Sequence, residues 1–105
     1  MCGIAGMMTI DGTAPAADVL DRLAAALRHR GPDGEGRLAA GGVGLVQTRL
    51  AIIDLETGDQ PIYAANGAGT GATNQRAAIV ANGEIYNYIE LRELLRDVTF
   101  ATRSD

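Results

Sequence analysis

The single cysteine of this chain stands directly behind the initiator methionine, at Cys2. A small second residue allows the methionine to be removed, which leaves a thiol and a free α-amine on the same residue. An α-amine has a reference pKa of about 7.7 to 8.0, so it can accept the thiol proton directly or through one water. Pairing an N-terminal nucleophile with its own amine is an established way to activate it. Cys2 is therefore a candidate nucleophile.

Two plainer interpretations of these residue types stand beside that one. A cysteine that opens a strand can be a small apolar residue with no chemical role. His29 is the only histidine and suggests a Cys-His pair. A histidine near a helix end more often caps carbonyl groups or packs locally, so His29 is not predicted to be catalytic.

Four short motifs occur in order along the chain: MCGIAG at residues 1–6, RHRGPDG at 28–34, RLAIID at 49–54 and NGEIYN at 82–87. Together they resemble the glutaminase domain of glutamine-hydrolysing asparagine synthetases, an N-terminal class II glutamine amidotransferase domain of the N-terminal-nucleophile (Ntn) hydrolase type. The resemblance spans nearly the whole chain, and the motifs are specific in combination. In that family the nucleophile follows the processed methionine, a position that corresponds to Cys2.

The resemblance implies an oxyanion hole at Asn82 and Gly83. An asparagine side-chain amide beside a glycine backbone that permits close approach provides two donors for a tetrahedral oxyanion. An Asn-Gly pair between apolar runs is otherwise the signature of a type I′ hairpin turn. The residues that follow, Glu84 to Asn87, favour the oxyanion hole.

The resemblance also implies a site for the amino-acid end of L-glutamine. Arg49 matches the residue that binds the α-carboxylate, which suits a guanidinium able to make two parallel hydrogen bonds; the alternative is a solvated arginine between strands. Glu84 and Asp105 match carboxylates that receive the α-ammonium, although Arg103 stands where the family often has glycine. Arg30 is expected to support the nucleophile. Backbone contacts to glutamine are expected at Leu50, Ala51, Ile52 and Ile53.

Hydrophobic spacing indicates the elements that position these residues. An apolar run at residues 3–10 predicts a strand behind Cys2, and helical spacing at 15–29 and 88–96 predicts two helices. Residues 34–44 are rich in glycine and show no periodic apolar face. Strands are predicted within residues 43–47, 50–55 and 77–81, with a further strand beginning at Phe100. A Gly, Ala and Thr run at residues 66–74 favours a flexible hairpin tip.

Composition limits the classes of function that remain. Hydrophobic residues make up 47% and charged residues 21% of the 105-residue chain, as in ordinary globular domains. The net charge of -4 argues against binding to nucleic acid or anionic membranes. No run approaches the roughly 20 apolar residues of a membrane span, and we expect a cytoplasmic protein.

The predicted fold class is α+β, a truncated part of the four-layer αββα sandwich of Ntn hydrolases. Residues 1–105 are expected to form the N-terminal portion of the amidotransferase domain, without a synthetase domain and without a metal or cofactor. The resemblance implies a C-terminal synthetase domain in the full-length protein, which uses ATP and Mg²⁺ to amidate aspartate, and it is compatible with a homodimer. Two alternatives remain: the glutaminase part of another class II amidotransferase, or a non-catalytic remnant.

Overall fold

A computed structural model describes residues 1–64 and 77–105 of the chain. The predicted hairpin tip at residues 66–74 lies outside the described residues. Within them, the regular elements follow one another in the order β1 (Gly3–Met8), α1 (Ala17–Leu27), β2 (Gly34–Ala40), β3 (Val43–Arg49), β4 (Ile62–Tyr63), β5 (Ala78–Ile79) and α2 (Tyr88–Leu94). The α+β class is confirmed.

The first three strands form an antiparallel sheet in which β3 lies between β1 and β2. A two-residue turn at Gly41 and Gly42 joins β2 to β3, and Gly41 adopts a φ of 53°, which glycine reaches without steric cost. The glycine-rich stretch thus contains the strand β2, although its sequence lacks an apolar face. Pairing with the central strand β3 compensates for the missing side chains.

Helix α1 covers one face of this sheet and supplies the core of the described residues. Leu20 and Ala24 pack against Val46 of β3, which has no exposed surface. The predicted helix at residues 15–29 is confirmed in shorter form. Its end is fixed because Thr48 Oγ1 donates a hydrogen bond of 3.1 Å to the carbonyl of Leu27, one of the carbonyls that a helix end leaves unpaired.

The second half of the chain contains shorter elements. Strands β4 and β5 pair over two residues each, and α2 begins and ends close to the second predicted helix but buries no residue. The strand predicted at residues 50–55 is wrong, because the carbonyls of Ile53 and Asp54 bond the Arg49 side chain and Asp54 has a φ of 51°. No strand begins at Phe100 either, whose ring packs 4.4 Å from the Arg92 guanidinium.

The layers observed are one helix on one three-stranded sheet, and the four-layer sandwich stays a prediction. No helix among the described residues is long and apolar enough to cross a bilayer.

Candidate functional site

Cys2 lies immediately before β1 and is half-buried. Because Gly3 pairs with Thr48 in the sheet, the nucleophile lies beside the residues that follow the end of β3. The backbone N–H of Leu50 donates to the Cys2 sulfur over 3.3 Å. The sulfur therefore has a defined position at the edge of the sheet.

The segment after α1 braces both sides of this junction. Arg30 Nε donates to the Cys2 carbonyl over 3.2 Å, which places Arg30 beside the nucleophile. Asp33 accepts the N–H of Ala51 over 2.9 Å, and its own N–H donates to the Arg49 carbonyl over 2.9 Å. Gly31 is buried where a side chain would overlap the backbone of β3.

The Arg49 side chain is only 8% exposed, so the interpretation as a solvated arginine is wrong. Its Nη1 donates to Asp59 Oδ1 over 2.8 Å, and its Nη2 donates to the carbonyls of Ile53 and Asp54. A guanidinium carries five N–H donors, so these three bonds leave donors for a further anion. Gly58 permits this packing, because a Cβ there would overlap Nη2.

Asn82, Gly83 and Glu84 lie in irregular chain between β5 and α2 and are exposed. Neither Asn82 nor Gly83 has a positive φ, and a type I′ turn requires two, so the hairpin interpretation is wrong. The segment is held on either side: Ala81 N–H donates to Gln60 Oε1 over 2.6 Å, and Ile85 N–H donates to Asp105 Oδ2 over 2.9 Å.

One open cavity of about 370 Å³ brings most of the predicted site residues together. It is lined by the predicted residues Cys2, Arg49, Leu50, Ile52, Ile53, Asn82, Gly83, Glu84 and Asp105. Ala51 and Arg30 do not line it, since the Ala51 N–H is directed to Asp33 and Arg30 lies behind the nucleophile. His29 is exposed in the turn after α1 and does not line the cavity.

Sequence reasoning did not identify several residues that line the same cavity. Gln47 is 1% exposed, and its Nε2 has no acceptor within the described parts of the chain. Strand alternation was the available signal, because Gln47 lies two residues before Arg49 and shares its face of β3. Gln60, Tyr86 and Ser104 line the cavity as well, and no motif pointed to them.

The carboxylate of Asp54 has the largest pKa displacement near the site. The Thr57 hydroxyl donates to it, the backbone N–H groups of Thr57 and Arg103 add to this, and the charge of Arg49 contributes further. Together these partners lower the pKa of Asp54 to about 2. The group is therefore ionised at neutral pH and serves only as an acceptor.

Comparison with known proteins agrees with this geometry. The family described as the glutamine amidotransferase domain matches residues 1–105. The chain belongs to the glutamine amidotransferase domain family. This amidotransferase domain is similar to proteins named asparagine synthetase [glutamine-hydrolyzing], with 41% identity over 107 residues to one from Triphysaria versicolor and 39% over 110 residues to one from Bacillus subtilis (strain 168). A further relative with that name, from Arabidopsis thaliana, is 40% identical over 106 residues.

Each of these matches covers 100% of the amidotransferase chain but only 16% or 17% of the relative. The chain thus corresponds to the N-terminal part of much longer proteins, and the resemblance read from the four motifs is confirmed. No solved structure gives a significant match to the chain.

Proposed function

We propose that this amidotransferase domain hydrolyses the side-chain amide of L-glutamine and releases ammonia, with Cys2 as the nucleophile. The observation that carries the proposal is the single cavity lined by Cys2, Arg49, Asn82 and Asp105, which come from four separate segments of the chain. A thiol, an oxyanion donor and two opposite charges in one cavity match the two ends of an α-amino acid amide.

The reaction begins after removal of Met1, which itself lines the cavity. The freed α-amine of Cys2 takes the thiol proton, and the sulfur forms a bond to the side-chain carbonyl carbon of glutamine. The Asn82 amide and the Gly83 N–H donate to the resulting oxyanion. Collapse breaks the carbon–nitrogen bond, the α-ammonium returns its proton to the leaving nitrogen, and ammonia departs. Water then cleaves the thioester and releases glutamate.

Charge complementarity orients the substrate in this proposal. The free donors of Arg49 bind the α-carboxylate, and the carboxylates of Glu84 and Asp105 accept from the α-ammonium. The backbone at residues 50–53 contacts glutamine. Ala51 would do so through its carbonyl, because its N–H is donated to Asp33.

We further propose that residues 1–105 are the N-terminal portion of an Ntn-hydrolase domain whose four layers need more chain. Supporting this, the apolar side chains of α2 and its flanks are exposed where a packed domain would cover them. They are Ile85, Ile89, Leu94, Leu95 and Val98.

A downstream synthetase domain would use the ammonia, with ATP and Mg²⁺, to amidate aspartate, and the full-length protein could form a homodimer. The described residues hold no cluster of three or more His, Cys, Asp or Glu side chains suited to a metal ion. The site therefore does not fit that cofactor, and the steps derived for it involve none.

The test is incubation of the protein, expressed as its gene encodes it, with the reactive glutamine analogue 6-diazo-5-oxonorleucine. We expect intact mass and peptide mapping to show loss of Met1 and a single adduct on Cys2, with protection by glutamine. Cys2→Ser is the control and should remain unlabelled. Retention of Met1, or labelling of Cys2 no faster than a free thiol, would reject glutaminase activity and favour the non-catalytic remnant.

A further inference from the structure

The chain segments that carry Asn82 and Asp105 do not belong to either sheet. Residues 81–87 and 101–105 contain no strand, so no backbone ladder sets their distance from Cys2. Their positions depend on individual hydrogen bonds. Two of these come from one stretch, residues 54–60, which we name the anchor loop.

Asp54 opens the anchor loop and reaches the segment of Asp105. Asp54 Oδ2 accepts the backbone N–H of Arg103 over 2.8 Å, and Thr57 Oγ1 lies 3.2 Å from the same nitrogen. The other carboxylate oxygen, Oδ1, accepts the N–H of Thr57 over 2.9 Å. The carboxylate therefore closes its own turn and fixes the chain two residues before Asp105.

Gln60 closes the anchor loop and reaches the segment of Asn82. Gln60 Oε1 accepts the N–H of Ala81 over 2.6 Å, directly before the proposed oxyanion hole. The backbone of Gln60 itself lies against β2 at Gly36, where any Cβ would overlap the Gln60 carbonyl. Gln60 thus connects the oxyanion segment to the packed sheet.

The same loop holds Arg49 through the Asp54 carbonyl and the Asp59 carboxylate. Its residues therefore contact the proposed carboxylate-binding, ammonium-binding and oxyanion-binding parts of the site. Surface loops commonly position functional groups in this way.

We propose that the anchor loop positions the site through two residues with separable effects: Asp54 sets the place of the ammonium-binding Asp105, and Gln60 sets the place of the oxyanion donors Asn82 and Gly83. Both are positioning residues, since each acts through another residue. The roles of Asp105 and Asn82 rest on the proposed glutaminase function. The hydrogen bonds that carry the inference do not depend on it.

The first experiment measures amide hydrogen exchange in the protein as its gene encodes it. Asp54→Asn should speed exchange in peptides covering residues 102–105 and leave the amide of Ala81 unchanged. Gln60→Leu should do the reverse, and Gln60→Glu, which keeps an acceptor, should restore protection. Glu56→Gln is the matched control, because it removes a charge from an exposed side chain of the same loop.

The second experiment measures kinetics of glutamine hydrolysis. Asp54→Asn should raise KM about tenfold, the loss expected for a hydrogen bond to a charged group, with kcat nearly unchanged. It should also weaken the preference for glutamine over 4-carbamoylbutanoate, which lacks the α-ammonium. Gln60→Leu should lower kcat about tenfold with KM nearly unchanged, because oxyanion donors act on the transition state.

The outcomes separate this inference from the proposed function. If exchange at residues 102–105 and at Ala81 is unchanged in the respective variants, the positioning role is overturned whether or not the enzyme is active. Equal changes in KM and kcat in both variants would also overturn it, since they indicate a loop that is only structural. A wild-type protein that neither hydrolyses glutamine nor reacts with the diazo analogue rejects the glutaminase, and hydrogen exchange still decides the positioning.

Discussion

The two halves of the described chain are held together by different means. Residues 1–49 bury Leu20, Ala24 and Val46 between α1 and a three-stranded sheet. Residues 50–64 and 77–105 contain two-residue strands and a helix with no buried residue. The nucleophile is therefore placed by a packed sheet, while the oxyanion and ammonium groups are placed by single hydrogen bonds. Small local changes should move the second set without unfolding the first.

The largest effect should come from Arg49, the buried residue that ends the packed half and contacts the anchor loop. We expect Arg49→Gln to lower kcat/KM for glutamine about 100-fold, mainly through KM, since breaking a buried charge pair typically costs 2–5 kcal/mol. Steady-state ammonia release measures this. Arg37→Gln is the matched control, because Arg37 pairs with Asp21 and Glu35 on the exposed side of β2. A similar loss in that control would attribute the effect to net charge.

The packing contrast itself is tested by truncating one apolar side chain in each half. Val46→Ala should reduce the free energy of unfolding by about 2 kcal/mol, because it leaves a cavity in a fully buried site. Ile89→Ala on α2, where the side chain is 58% exposed, should cost no more than about 0.5 kcal/mol. Urea denaturation of both variants gives the comparison. Equal losses would show that α2 is packed as tightly as the sheet.

Acid should weaken the anchor loop before it reaches the apolar core. The folded pKa of Asp54 is lowered from 3.8 to about 2, so its stabilising contribution is present above the unfolded pKa and is lost as the pH falls through the folded one. The stability difference between wild type and Asp54→Asn should therefore be constant above about pH 5 and shrink towards about pH 2. Urea titrations at each pH measure it. A difference that grows on acidification would contradict this assignment.

The smallest effect is expected on the solvent side of α1. Arg22 and Asp18 form an i,i+4 ion pair with side chains 75% and 72% exposed. Arg22→Gln should change the free energy of unfolding by less than about 0.5 kcal/mol, because exposed pairs are screened by water and salt. Denaturant midpoints in low and high salt provide the measurement. A larger loss would mean that the surface of the packed half also carries its stability.

Local pattern predicted the first half better than the second. The spacing of Leu20 and Ala24 predicted α1 because a helix buries one repeating face. The strand prediction for residues 50–55 was wrong because the Arg49 guanidinium takes the carbonyls of Ile53 and Asp54, a tertiary contact with no local signature. The expected strand at Phe100 was wrong for a similar reason, since Arg92 packs on its ring.

The sequence by itself determined the family, the nucleophile at Cys2 and the residue types of the site, because these reside in short motifs whose chemistry is readable residue by residue. Only the tertiary structure decided that Asp54 and Gln60 hold the two substrate-facing segments. Their hydrogen bonds join residues 49 and 21 positions apart, and no periodicity or motif records a partner at that separation. The fold decides such pairs because the packed sheet and its loops bring distant backbone N–H groups within reach.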